Sequence, residues 1–307
     1  MTHPVKIMKI MKFGGTSVAD ASNINKVIDI ILEAKKQENH IVVVVSALGG
    51  ITDDLITLAN LASQKDAKYE IIFKAICGRH DQAIKELIDP KDQKQVLQEI
   101  NKKYGELEEI VKNIFSAKEF SLSVLDAVMS FGEQLSSFII SEGIKSRGVP
   151  CEFVDSRDII KTDDNFGSAS VDLEKSYKLM SDCLKEKPLS IMGGFMASTK
   201  NGITTTLGRG GSDYTASLVG AALDASVIEI WTDVDGIMTE DPKKMKDALL
   251  IPEITYEKAE EMAYNGAKVI HPKTIRPAVL KNIPIYVKNT FNPMGSGTKI
   301  SNGKKEK

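Results

Sequence analysis

The chain has 307 residues, 42% hydrophobic and 27% charged, with 40 basic side chains against 42 acidic ones and a net charge of -2. That balance suits a soluble globular α/β protein and argues against the basic surface that nucleic acid demands. Cys77, Cys151 and Cys183 are odd in number and lack CxxC spacing, which argues against a disulfide framework or a zinc site and fits a reducing cytoplasm.

The start, "MTHPVKIMKIMKFGG", has no signal-peptide pattern, and no run approaches the roughly 18 apolar residues of a membrane span. No membrane partner is expected. The stretch "VKIMKIMKF" alternates as a strand and stops on Gly14-Gly15. Val18, Ile24, Val27, Ile28, Ile31 and Leu32 then recur at helical spacing. "HIVVVVSAL" is a β-branched run of the kind buried in a parallel sheet, and it breaks at Gly49-Gly50 before the helical "ITDDLITLANLA". Strand, glycine turn and helix, twice over, predict βαβ units.

Residues 66 to about 145 predict helices, among them "QAIKELI", "QKQVLQEINKKYGELEEIVKNIF" and "GEQLSSFIISEGIKS". "CEFVD" reads as a strand, "DLEKSYKLMSDCL" as a helix, and "PLSIMGGFMAS" as a strand running to Gly193-Gly194. "SVIEIWTDVDGIMTEDP" is a strand entering an acidic turn. "TYEKAEEMAYNGA" is a helix closed by Gly266, and "IPIYVKNT" reads as the last apolar strand. There is no internal repeat and no low-complexity linker. One α/β unit with two lobes is expected, about 1–200 and about 201–300, with a frayed polar tail at 301–307.

Three predicted strands end in paired glycines, and a fourth glycine cluster, Gly208, Gly210 and Gly211, precedes an apolar helical pattern. In parallel sheets such loops let backbone N–H groups approach an anion, with the next helix pointing its positive end the same way. A phosphate site is therefore expected. There is no GxxxxGK[ST], and "GRGGSD" fails GxGxxG because Asp213 stands where the last glycine belongs. Asp213 is expected to face a positive group. Lys12, Lys268, Glu133 and the pair Asp233 and Asp235 each have a plainer reading. These are a solvated strand-end lysine, a helix C-terminal lysine, an exposed first-turn glutamate and an Asp-Gly turn.

Taken together, "KFGGTSV" at 12–18, "SFGEQLS" at 130–136, "LGRGGSDYTA" at 207–216, "WTDVDGIMTEDP" at 231–242 and "NGAKVIHP" at 265–272 resemble aspartate kinases of the amino-acid kinase superfamily. The resemblance runs from Lys12 to about Ile300. It implies a three-layer αβα sandwich around a mostly parallel sheet. It implies transfer of the ATP γ-phosphoryl group to the side-chain carboxylate of aspartate, with Mg²⁺, the amino acid on the N-terminal lobe and the nucleotide on the C-terminal lobe. Such a carboxylate is already ionised at neutral pH and needs no general base, which fits a chain with only four histidines. Catalysis would rest on position and positive charge.

The same resemblance implies site residues. Lys12, Asp213 and Lys268 would be catalytic, with Asp213 organising the lysines. Arg209 would fork the substrate α-carboxylate and Glu133 would take its α-ammonium. Thr16, Ser46, Thr52 and Ser212 would complete the amino-acid side. Gly14, Gly15, Gly210, Gly211, Thr232, Asp233, Met238 and Lys243 would meet the nucleotide with Lys12 and Lys268. No metal-ligating side chains are singled out. Met238 and Lys243 depart from the family, which often has an aromatic and an arginine there. The sequence stops where the family's kinase domain would end, so no feedback inhibition through ACT modules is expected from this chain alone. A homodimer follows by superfamily analogy, and a separate regulatory subunit stays open. Other readings are a kinase for another small acid and a non-catalytic nucleotide binder on the same fold.

Overall fold

A computed structural model describes residues 8–239, 248–264, 270 and 272–303. In chain order the first half comprises β1 (Met8–Phe13), α1 (Ala21–Gln37), β2 (His40–Val45), α2 (Ile51–Ser63), α3 (Tyr69–Leu87), α4 (Pro90–Ala117), α5 (Leu122–Ser146), β3 (Glu152–Val154), α6 (Ser156–Ile159), β4 (Lys161–Thr162), α7 (Leu173–Leu184) and β5 (Leu189–Gly193). There follow β6 (Met196–Thr199), β7 (Thr204–Thr206), α8 (Gly211–Ala222), β8 (Val227–Thr232), β9 (Glu253–Thr255), α9 (Tyr256–Tyr264), α10 (Pro272–Leu280), β10 (Ile285–Asn289) and β11 (Thr298–Ser301).

Eight strands form one sheet in the order β3-β5-β2-β1-β8-β10-β11-β9. The six from β3 to β10 run parallel, while β11 is antiparallel to β10 and pairs parallel with β9. The strands before residue 200 thus occupy one half of the sheet and the later ones the other, joined where β1 pairs with β8. A small second sheet, β4-β6-β7, flanks it.

The apolar run of β2 is buried throughout because helices cover both faces of the sheet. Met11 and Phe13 of β1, with Ile41, Val43 and Val45 of β2, pack into a core shared with α1 to α5. Met8 and Ile10, with Val42 and Val44, face the opposite core, shared with α7 to α10. Side chains alternate across a strand, so two adjacent strands feed two helical layers. This is the expected three-layer αβα sandwich. On the second face α8 packs on α10, where Ala278 N donates to Ser217 Oγ at 3.0 Å.

Two details differ from the sequence expectation. "PLSIMGGFMAS" is two strands, β5 and β6, because the chain turns at Gly194-Phe195 and β6 joins the small sheet. "IPIYVKNT" is not the last strand, since β11 returns beside it and reaches Ser301. Among the described residues no helix is long and apolar enough to cross a membrane.

Candidate active site

A cavity of about 540 Å³ opens at the carboxyl ends of β1 and β2, against the first turn of α8. Lys12, next to last in β1, and Asp213, in the first turn of α8, meet there with Nζ 2.7 Å from Oδ1. The pair is an ion contact, and Asp213 Oδ1 receives no aligned hydrogen bond. Both groups therefore keep hydrogen-bonding capacity for a third partner. A carboxylate in a first helical turn also suits the helix dipole. The positive group expected opposite Asp213 is Lys12, and Lys12 is 9% exposed, not the solvated strand-end lysine of the plainer reading.

Glu133 sits in the middle of α5 and is 4% exposed, so the exposed first-turn reading fails: the helix begins a full three turns earlier, at Leu122. Its neighbour Gly132 explains the approach, because a Cβ there would stand 2.7 Å from Ala47 Cβ. Without it, α5 closes on the loop after β2, and Ala47 N donates to Glu133 Oε1 at 3.1 Å. Glu133 Oε2 has no partner. Burial pushes the Glu133 carboxyl up to about 8, opposed by the Ala47 amide and by the charge of Lys12.

Arg209 is exposed at the same cavity and meets no acidic side chain among the described residues. Ser46, Thr52 and Ser212 line the wall, with Ser46 Oγ donating to Ser212 Oγ at 3.1 Å. Gly15, Gly210 and Gly211 line it too. Ten of the site residues implied by the resemblance thus share one cavity: Lys12, Gly15, Ser46, Thr52, Glu133, Arg209, Gly210, Gly211, Ser212 and Asp213.

Others lie apart. Gly14 backs the Lys12 ammonium, its Cβ position 3.5 Å from Nζ. Thr16 is exposed off the wall, and its carbonyl accepts from Asn23 Nδ2 at 3.0 Å. Thr232 ends β8 and donates from Oγ1 to Asp233 Oδ1 at 3.1 Å. Met238 bridges to Leu250 further along the same segment. Lys243, Lys268 and Gly266 lie outside the described residues.

Sequence reasoning passed over several wall residues, among them Met129, Gly167 and Phe195. Phe195 holds φ at 63°, a left-handed conformation rare for an aromatic. Its N–H donates to Thr215 Oγ1 at 3.2 Å, and its carbonyl accepts from Leu207 N at 2.8 Å. Asp126 was missed as well. It is fully buried on α5 and accepts from Gly167 N at 2.9 Å, Thr206 N at 3.0 Å and Thr206 Oγ1 at 2.8 Å. That carboxylate ties one wall segment to the strand that leads into Gly208 and Arg209. Spacing of Asp126 from Met129 and Glu133 along one helix face was the available signal.

The chain belongs to the Amino acid kinase family, which it matches over residues 8–289. It is 38% identical over 301 residues to the lysine-sensitive aspartokinase 3 of Escherichia coli, covering 95% of this chain and 64% of that one. It is 33% identical over 303 residues to a chloroplastic bifunctional aspartokinase/homoserine dehydrogenase 2 of Arabidopsis thaliana, covering 96% of this chain and 32% of the relative. The chain therefore spans about a third of the length of the bifunctional relatives it matches. The crystal structure of E. coli aspartokinase III in complex with aspartate and ADP superposes with a TM-score of 0.88 at 35% identity, over 97% of this chain and 65% of that one.

Proposed function

We propose that this chain is an aspartate kinase, moving the γ-phosphoryl group of ATP to the side-chain carboxylate of L-aspartate to give 4-phospho-L-aspartate and ADP. One observation carries the reading. The cavity holds an unpaired carboxylate oxygen, Glu133 Oε2, and a guanidinium without an acidic partner among the described residues, Arg209. An α-amino acid offers the complement of both, an ammonium and a carboxylate. The family match and the likeness to an enzyme structure holding aspartate and ADP support the same acceptor and donor.

A side-chain carboxylate oxygen attacks the γ-phosphorus, the bond from that phosphorus to the β,γ-bridging oxygen breaks, and ADP leaves. The nucleophile is ionised at neutral pH, so the protein need hold no base for it. Its task is to bring two anions together. Lys12 sets a positive charge at the carboxyl end of β1, and Asp213 fixes where that charge stands. Gly15, Gly210 and Gly211 leave room for the transferring group beside the amino end of α8.

The donor is Mg–ATP, taken up as a substrate. Among the described residues no set of three His, Cys, Asp or Glu side chains could cage a metal. A magnesium ion in the Mg–ATP complex would be held chiefly by phosphate oxygens, where it offsets their charge. Thr232, Asp233, Met238, Lys243 and Lys268 are assigned to the nucleotide side, so the nucleotide would lie mainly on residues beyond about 200 and the amino acid mainly on those before it, with Arg209 and Ser212 reaching across to the amino acid and Lys12, Gly14 and Gly15 to the phosphates.

Trapping the acyl phosphate with hydroxylamine tests the reading. Aspartate, ATP and Mg²⁺ should yield aspartyl hydroxamate and ADP, and Lys12→Ala should abolish both. Faster ADP release with glutamate, N-acetylglutamate or carbamate than with aspartate would move the assignment to another acid kinase.

A further inference from the structure

We propose that Arg79, on α3 and outside the cavity wall, is a positioning residue that sets the spacing of phosphoryl donor and acceptor; the inference rests on the aspartate kinase reading. Its guanidinium spans the two glycine loops that leave β1 and β2. Nη2 donates to Ala19 O at 3.1 Å and to Gly49 O at 2.8 Å. Nη1 lies 3.6 Å from Asp54 Oδ2, in the first turn of α2.

The first loop carries Gly15, on the phosphate side. The second leads to Thr52, on the acceptor side. Apart from Ser46 N donating to Phe13 O at 3.1 Å where the strands end, no backbone hydrogen bond joins residues 14–20 to residues 47–51 among the described residues. The loops do touch: a Cβ on Gly49 would stand 3.0 Å from Ala19 Cβ. Two carbonyl oxygens that converge on one point repel each other, and a shared cation reverses that. One nitrogen of Arg79 does so, while the other fastens the start of α2.

In-line transfer asks for reacting atoms roughly 3–3.5 Å apart, and a misplacement of about 1 Å costs on the order of 100-fold in rate. Each loop alone still binds its own substrate when the clasp is gone. What suffers is their separation, so turnover falls further than affinity.

Arg79→Ala and Arg79→Lys are compared with the parent chain by aspartyl-hydroxamate turnover, by ADP affinity and by hydrogen exchange at residues 14–20 and 47–54. Arg79→Ala should lower kcat by roughly 10- to 100-fold while ADP affinity stays within about 2-fold. Exchange should rise in both segments together. Arg79→Lys, whose ammonium can donate to both carbonyls, should restore most of the turnover. An alanine variant within about 2-fold of the parent kcat overturns the inference and leaves the functional reading standing. Parallel loss of ADP affinity and turnover without rescue by lysine makes Arg79 a general stabiliser and also overturns it. A parent chain that makes no hydroxamate overturns the functional reading, and the inference falls with it.

Discussion

Lys12 Nζ and Asp213 Oδ1 meet at 2.7 Å, one from the end of β1 and the other from the first turn of α8. The contact joins the central strand to the helix behind the glycine loop, so one ion pair aims the ammonium and fixes the loop's exit. Asp213→Asn keeps the shape and removes the charge. Turnover should drop on the order of 100- to 1,000-fold, as for loss of a preorganised electrostatic partner. Circular dichroism and the melting transition should show the fold retained. Near-parental hydroxamate formation would show that the ion pair does not aim the catalytic charge.

On the proposed reading, Glu133 would give binding a pH signature. Its carboxyl is raised by burial to about 8 without ligand, and a substrate ammonium on Oε2 would favour the ionised form. Aspartate affinity should therefore strengthen as pH rises towards 8 and then level off. At pH 7 binding should release a proton, seen by calorimetry as a heat that varies with the buffer's ionisation enthalpy. For the unliganded fold the sign is opposite. A folded pKa above the ordinary value of 4.5 means that stability is lost as pH rises from 4.5 through about 8. Glu133→Gln should bind aspartate weakly and remove both dependences. A buffer-independent heat for the parent would count against this role.

His80 acts at the acid end. It is fully buried on α3, its Nδ1 donates to Ile76 O at 2.7 Å, and Nε2 has no partner. Burial lowers its pKa from 6.5 to about 4, so the folded chain keeps it neutral while the unfolded chain takes up a proton. Stability present above pH 6.5 should fall as pH drops towards 4. Urea titrations across that range should show the slope, and His80→Phe should flatten it. An unchanged slope in the variant would place the acid sensitivity elsewhere.

Asp126 ties the Gly167 segment to β7 from behind the cavity wall. Asp126→Ala would leave Gly167 N, Thr206 N and the Thr206 hydroxyl without their buried acceptor. Each such orphan costs about 1–3 kcal/mol, so a loss of several kcal/mol is expected. Asp126→Asn should be milder for stability and still raise KM for aspartate above that for ATP. Equal changes in both constants would argue for a purely structural role.

The strands and glycine turns were legible because local pattern decides them: β-branched runs ending on paired glycines can hardly be anything else. Asp213 was legible because a carboxylate inside a phosphate-type loop demands a cation nearby. Glu133 could be placed by resemblance, but its burial could not be read. That depends on the missing Cβ of Gly132 and on Ala47, distant in the chain. Asp126 was hidden for the same reason, since its donors belong to a loop and a strand far along the sequence. The small sheet escaped notice because β4 has two residues and β7 three, too short for any periodicity to register.

The alternation along β1 has a consequence for how this protein can change. Met8 and Ile10 face one helical layer, Met11 and Phe13 the other, and Lys12 shares the parity of the first pair, towards α8. Substitutions in β1 alter one position at a time, but a one-residue deletion reverses the parity of everything beyond it. The ammonium would then turn towards α5 and a core aromatic towards Asp213. Drift by substitution is open to this strand, whereas length change is closed, because its even and odd positions answer to different halves of the molecule.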